Sequence, residues 1–347
     1  MRTQNITYLL VSCISLVFIL INGQAILVPF ILGLLLWFIG KGLESTLDKI
    51  SFIKKKFPNW LKHILSFGII MIVLIFITNI LTTNINSLAQ SFELYEPNFD
   101  ALISQLDGWL GVDIKAAVKN YSGNLDFGNI LQSLFSSISD IISNGFMILL
   151  YAVFILLEDA RFKPKLKAIF VGKENEERVD SILKKISTSI SSYFGLKTLL
   201  SLITGSLSYI ALRIIGVDAP EFWAFLIFIL NFIPTIGSLI ATIFPAIFCL
   251  FQFGIFTPSL LVLGIVGTIQ VIVGNFLEPK IMGSSMNISP LVTILSLSIW
   301  GAIWGIIGMI LSVPITVVTI IIFSQFEKTK SVAIMLSEKG KISSRSL

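Results

Sequence analysis

Between Phe222 and Phe326 the chain carries only two charged side chains, Glu278 and Lys280, one on either side of Pro279. A carboxylate in so apolar a stretch is expensive unless it is paired or hydrated. It is therefore a natural place to bind a proton or a cation and to couple that binding to a change of shape. On a regular helix, residues two apart face different directions and cannot pair. Proline also disfavours the helical conformation at the residue before it, so Glu278 and Lys280 are expected on a broken or looped segment. One reading is a solvated connecting loop continued by the turn-forming "GSSMN" at 283–287. The other is a loop that dips towards "NFIPTIG", where Glu278 binds an ion while Asn231, Gln270 and Asn275 hold a polar solute. The same polar residues, with Thr235 and Asn287, would line a pore equally well.

Other chemistries lack their residues. The one histidine, His63, stands beside Lys62 at the edge of an apolar run, and Cys13 and Cys249 are far apart. Neither metal-ligand spacing nor a disulfide framework is present. No two acidic residues share an apolar run and no serine–histidine pair lies within one, so a membrane hydrolase is not expected. A phosphate-cradling Gly-x-x-x-x-Gly-Lys-Ser/Thr loop is also missing. We therefore expect no enzyme activity, no cofactor, no metal and no nucleic-acid partner.

The elements that must position these residues are membrane helices. Of the 347 residues, 55% are hydrophobic and 13% charged, and the mean hydropathy is +0.91. Soluble domains carry about 25% charged residues. Repeated apolar runs of helical length imply an all-α polytopic bundle with its backbone hydrogen bonds satisfied inside each segment. The runs at 8–21 and 25–39 read as two antiparallel spans joined by "NGQ" rather than as a cleaved leader. Lysines at 41–62 and the lysines and arginines at 161–185 mark cytoplasmic loops, and the acidic stretch 82–140 marks the opposite side. Both termini are then cytoplasmic. The expected organisation is spans and basic loop at 1–81, an extracytoplasmic amphipathic segment at 82–140, and a fourth span with an amphipathic helix at 141–198. A core with broken helices follows at 199–326, then a basic tail at 327–347. Val179, Leu183, Ile186, Ile190 and Tyr193 form a 4-3-4-3 stripe, fit for the membrane surface or for a second copy of the chain. Arg213, with Asp218 and Glu221 beyond it, either snorkels to the interface or forms an outer gate.

Seven of the eleven prolines lie from Pro220 onward. Pro234, Gly237 and Pro245 interrupt one apolar run; Pro290, Gly301, Gly305, Gly308 and Pro314 interrupt another. Paired broken segments are the sequence pointer to a transporter's binding site, and Gly301-xxx-Gly305 is also a close-packing pattern. These two runs, "NFIPTIGSLIATIFPAI" and "GNFLEPKIMGSSMNISPLVTILSLSIWGAIWGIIGMILSVPI", resemble the signature of the autoinducer-2 exporter family. The proline–glycine element falls on Pro234, Gly237 and Pro245, and the N-x-x-x-P loop on Asn275 and Pro279, followed by Gly283. The last element falls on Pro290, Leu291, Gly301, Gly305, Gly308 and Pro314. The resemblance implies about eight spans in a bacterial cytoplasmic membrane, a homo-oligomer, and export of a small solute, with Na+ or H+ as a possible coupling ion. A sodium/proton antiporter and a channel or structural oligomer remain the alternatives.

Overall fold

The computed structural model describes residues 2–48, 57–110, 144–169, 173–282, 287–338 and 340. Among them the chain is helical without strands: α1 (Arg2–Asn22), α2 (Gln24–Leu47), α3 (Asn59–Leu110), α4 (Gly145–Ile169), α5 (Lys173–Ile215), α6 (Pro220–Leu230), α7 (Ile236–Phe253) and α8 (Phe256–Ile272). A π-turn (Val273–Leu277), α9 (Glu278–Met282), α10 (Pro290–Ser324) and α11 (Glu327–Leu336) complete it. Among the described residues, six segments are long and apolar enough to cross a bilayer. Their large apolar side chains point outward: Ile72 is 69% exposed, Phe76 63% and Leu260 64%, a surface suited to lipid and not to water. The chain is an all-α polytopic membrane protein.

Several helices run past the ends expected from hydropathy. The third span, expected to stop near 81, continues unbroken to Leu110 as α3. The amphipathic stretch and the fifth span form one helix, α5, so the expected boundary at 198/199 falls inside it. Charge patterning marks where a helix leaves lipid but not where it ends. A single residue, Gly23, separates α1 from α2. The outer amphipathic stretch at 125–142 and Gly283 lie outside the described residues.

The chain divides into two compact units, residues 1–67, 144–196 and 282–347 in one, residues 68–143 and 197–281 in the other. In the first, α2 and α4 approach closely enough that a Cβ on Gly33 would stand 2.9 Å from the Ile148 carbonyl oxygen. Of the amphipathic stripe, Ile190 and Tyr193 are buried within the single chain, at 5% and 4% exposed. That part of the stripe is covered by the chain itself.

Each unit also contains a helical hairpin. In the second unit Trp223, near the start of α6, lies 4.9 Å from Phe248, near the end of α7, so these helices run antiparallel. In the first unit Trp304 and Gly305 leave helical geometry, with Gly305 at φ 59°, and α10 folds back on itself. Ser296 and Thr316, from its two arms, meet at 2.5 Å. The runs 222–251 and 289–326 are thus broken hairpins rather than single straight spans. The breaks fall at 231–235 and 304–305, not at the later prolines: Pro245 and Pro314 sit inside their helices, and Pro290 opens α10. Glycine makes both returns possible. A Cβ on Gly237 would lie 1.8 Å from the Leu230 carbonyl oxygen, and one on Gly308 would lie 1.9 Å from that of Trp300. Gly301 packs against Met309, where a Cβ would come within 2.9 Å.

Candidate functional site

The α6–α7 hairpin of the second unit ends in a strained turn. Thr235 adopts φ 61°, ψ −58°, and the Ile236 N–H donates to the Pro234 carbonyl at 2.6 Å. This is a γ-turn of the rare form, at a β-branched residue that strongly disfavours positive φ. Strain of this kind persists where surrounding structure enforces it, commonly at functional sites. At about 1.5 Å per residue, the eleven-residue α6 spans about 16 Å, half of a bilayer core near 30 Å. The turn therefore ends partway along its neighbours.

One of those neighbours is α5, and its facing surface is polar. Lys197, Ser201, Thr204 and Ser208 recur at spacings of four, three and four, and all four are buried. Asn231, at the start of the break, is itself buried and donates through Nδ2 to Thr204 Oγ1 at 3.4 Å, and Thr204 in turn donates to the Leu200 carbonyl. Two turns along the same face Lys197 Nζ meets Glu278 Oε1 at 2.5 Å. The lysine side chain is 5% exposed and the glutamate 29%. An ion pair this shielded from water is costly to form and more costly to break on one side only.

Glu278 is not on a loop. It has φ −58°, ψ −52° and opens α9, so the expected interruption at Pro279 takes another form. The preceding turn, Val273–Leu277, widens into a π-helix, which relieves the clash of a proline ring with the carbonyl one turn back. The buried face of α8 runs Val262, Val266, Gln270, Val273. A regular turn would next bring Leu277 to that face; the extra residue brings Glu278 instead. Lys280, two positions on, is exposed, as is Asn275 on the outside of the π-turn. Of the polar residues expected to act together, Asn231, Gln270 and Glu278 are on buried or partly buried faces of this unit.

The helices α7 and α8 are antiparallel: Ser259 donates to the Ala246 carbonyl at 2.7 Å, and a Cβ on Gly267 would touch Thr242. That register sets Gln270 beside the start of α7, level with the broken turn.

At the other end of the unit the residues considered for a gate separate. Arg213 reaches Glu221 only at 3.7 Å, with 67% of its side chain exposed, as a snorkelling arginine does. Tyr209 donates to the same Glu221 at 3.2 Å. Asp218 instead accepts a hydrogen bond from Tyr95 of α3. Nearby, Asn98 Nδ2 donates to the Phe251 and Gln252 carbonyls at 3.1 and 2.8 Å, covering acceptors left open at the end of α7. Among the described residues no group of His, Cys, Asp and Glu could hold a metal.

One partner escaped the reading of the sequence, Lys197, and so did the backbone strain at Thr235, which the sequence offered only as a pore-lining side chain. Lys197 did carry a signal: with Ser201, Thr204 and Ser208 it makes a polar stripe at helical spacing in an otherwise apolar span.

An all-α bundle with lipid-type outer faces, two broken hairpins and a shielded ion pair on a membrane-spanning helix defines a polytopic membrane protein built like a transporter. The chain belongs to the AI-2E family transporters, whose profile matches residues 6–328. It is 32% identical over 320 residues to the AI-2 transport protein TqsA of Escherichia coli (strain K12), covering 91% of this chain and 90% of the relative. A putative transport protein of Haemophilus influenzae is 30% identical over 325 residues, 90% of each chain. The putative transport protein YrrI of Bacillus subtilis (strain 168) is 25% identical over 304 residues, 85% of this chain and 82% of its own length.

Proposed function

We propose that this chain is a secondary transporter of the bacterial cytoplasmic membrane that exports a small polar solute of the AI-2 kind. The observation that carries this reading is the Lys197–Glu278 ion pair on the same α5 face that holds the broken hairpin through Asn231. Glu278 is the more exposed partner and is the group that water, a proton or a cation reaches first. Neutralising it leaves the Lys197 charge shielded from water without compensation. That state is unfavourable by several kcal/mol and drives the helices that carry the pair to separate. The pair is in this way a latch whose opening is coupled to ion or proton binding, with the solute passing while it is open. The relative described as an AI-2 transport protein supports the choice of solute class.

The test is efflux of AI-2 from proteoliposomes containing the purified protein, with Glu278→Gln as the comparison. Protein-dependent, saturable efflux that is lost in Glu278→Gln supports the reading. Efflux that rises linearly with concentration would instead identify a channel.

A further inference from the structure

The tail helix α11 closes the first unit's hairpin and keeps one edge free. The two arms of α10 meet at Ser296 and Thr316. Pro290 and Ile322, six residues further out on each arm, therefore stand level at the open end of the hairpin. α11 begins just past that end, where Thr329 Oγ1 donates to the Phe323 carbonyl at 2.9 Å, and comes back across it. At its far end the Ser289 N–H donates to the Leu336 carbonyl at 3.1 Å, and the Glu338 N–H to the Asn287 carbonyl at 3.2 Å. These are the reciprocal bonds of an antiparallel bridge. They tie the tail to the residues that lead into α10.

The α10 segment is apolar enough to cross a bilayer, so its open end belongs at the membrane surface. A helix that crosses that end lies in the plane of the surface. At about 100° per residue, α11 has distinct sides. Thr329, Ala333 and Leu336 share one, and Ala333 there is 0% exposed. Glu327 and Ser331 are on the opposite side, away from the hairpin. Lys328, Val332 and Met335, at spacings of four and three, form an edge about a quarter-turn from the buried side. All three are exposed, Met335 by 80%. On a helix lying in the surface, that edge is level with the lipid headgroups. Val332 and Met335 suit the boundary with the acyl chains, and the Lys328 ammonium suits a phosphate beside it. The charge of the whole tail has the matching sign. From Glu327 to Leu347 it carries five Lys and Arg against two Glu, and a basic cluster directly after a membrane segment is attracted by anionic lipid.

We propose that the Lys328–Val332–Met335 edge of α11 docks on anionic lipid headgroups of the membrane that the chain spans. Because α11 follows from one end of α10 and is bridged to the other, headgroups held along this edge keep the open end of the hairpin closed. This holds whatever solute the chain moves.

Full-length protein carrying Cys13→Ser, Cys249→Ala and Met335→Cys would be labelled at position 335 with an environment-sensitive fluorophore. It would be reconstituted in vesicles of phosphatidylcholine, with or without phosphatidylglycerol, doped with a lipid bearing a nitroxide on its headgroup. One lysine is favoured at an anionic surface about fivefold, so quenching should be at least about twofold greater with phosphatidylglycerol. Lys328→Gln/Lys330→Gln should erase most of that difference, and Lys328→Arg should keep it. In mixed micelles, phosphatidylglycerol should raise the melting temperature of the parent above its value in phosphatidylcholine, and the double glutamine variant should lose most of that increment. Equal quenching with and without phosphatidylglycerol would overturn the recognition of charge. Absence of quenching from both, with disulfide-linked pairs of unlabelled Met335→Cys chains, would assign the edge to a second copy instead. A melting increment unchanged in the double glutamine variant would show that lipid on this edge does not hold the hairpin.

Discussion

Lys197 Nζ and Glu278 Oε1 lie 2.5 Å apart across 81 positions of sequence, joining α5 to the helix that follows the π-turn. Because the lysine is the more buried member, loss of the carboxylate should hurt more than loss of both charges. Glu278→Gln is expected to destabilise the protein by up to about 3–5 kcal/mol, whereas the double variant Lys197→Met/Glu278→Leu should recover most of that loss. Thermal unfolding in detergent checks the order. A double variant no more stable than Glu278→Gln would mean that the pair is not what holds these helices.

The two hairpin glycines should be far less replaceable than a glycine with open space around it. Gly237→Ala and Gly308→Ala each drive a methyl group into a backbone carbonyl, which cannot move without opening the return. Both should fail to yield monodisperse protein. Gly264→Ala, where nothing lies within 4 Å, should be neutral or slightly stabilising, by about 0.5–1 kcal/mol. Size-exclusion profiles of the three variants decide the matter.

The arm of α3 beyond its span is pinned to the end of α7 by Asn98 and to Asp218 by Tyr95. Asn98→Ala exposes two carbonyls to loss of their shared donor and should cost about 1–3 kcal/mol. Protease nicking between residues 85 and 110 should accelerate in the variant before global unfolding sets in. Equal nicking rates would show the arm to be held some other way.

Orientation can be tested separately. The charge pattern puts residues 82–140 outside and 158–198 inside. An impermeant thiol reagent added to whole cells should modify a cysteine placed at position 107 and spare one at position 165. The reverse pattern would invert every side assignment.

How far the sequence reached is instructive at single residues. Composition alone fixes the all-α membrane class, and Pro234 with Gly237 marks the first interruption, because proline cannot continue a helix. Whether the run bends or turns back was not legible, since the close return at Gly237 is a tertiary contact. Glu278 stood out through its isolation in an apolar run. Its geometry did not: the proline rule forecast a loop, and a single π-turn kept the helix going by adding one residue. Nor was Lys197 recognised. It sits where an amphipathic stretch becomes a span, so hydropathy assigned it to the solvated side, although its 4-3-4 spacing with Ser201, Thr204 and Ser208 was there to read. Pairing between α5 and α9 depends on tertiary placement, which local pattern does not encode.

The central claim is that the ion pair is a working latch and not only a structural clamp. The measurement that tests it most directly is AI-2 efflux from proteoliposomes, comparing the parent with Glu278→Gln and with the stability-restored double variant Lys197→Met/Glu278→Leu. The account predicts that both variants lose at least about tenfold in rate, equivalent to about 1.4 kcal/mol, even though the double variant is stably folded. Flux within about twofold of the parent in the folded double variant would contradict it.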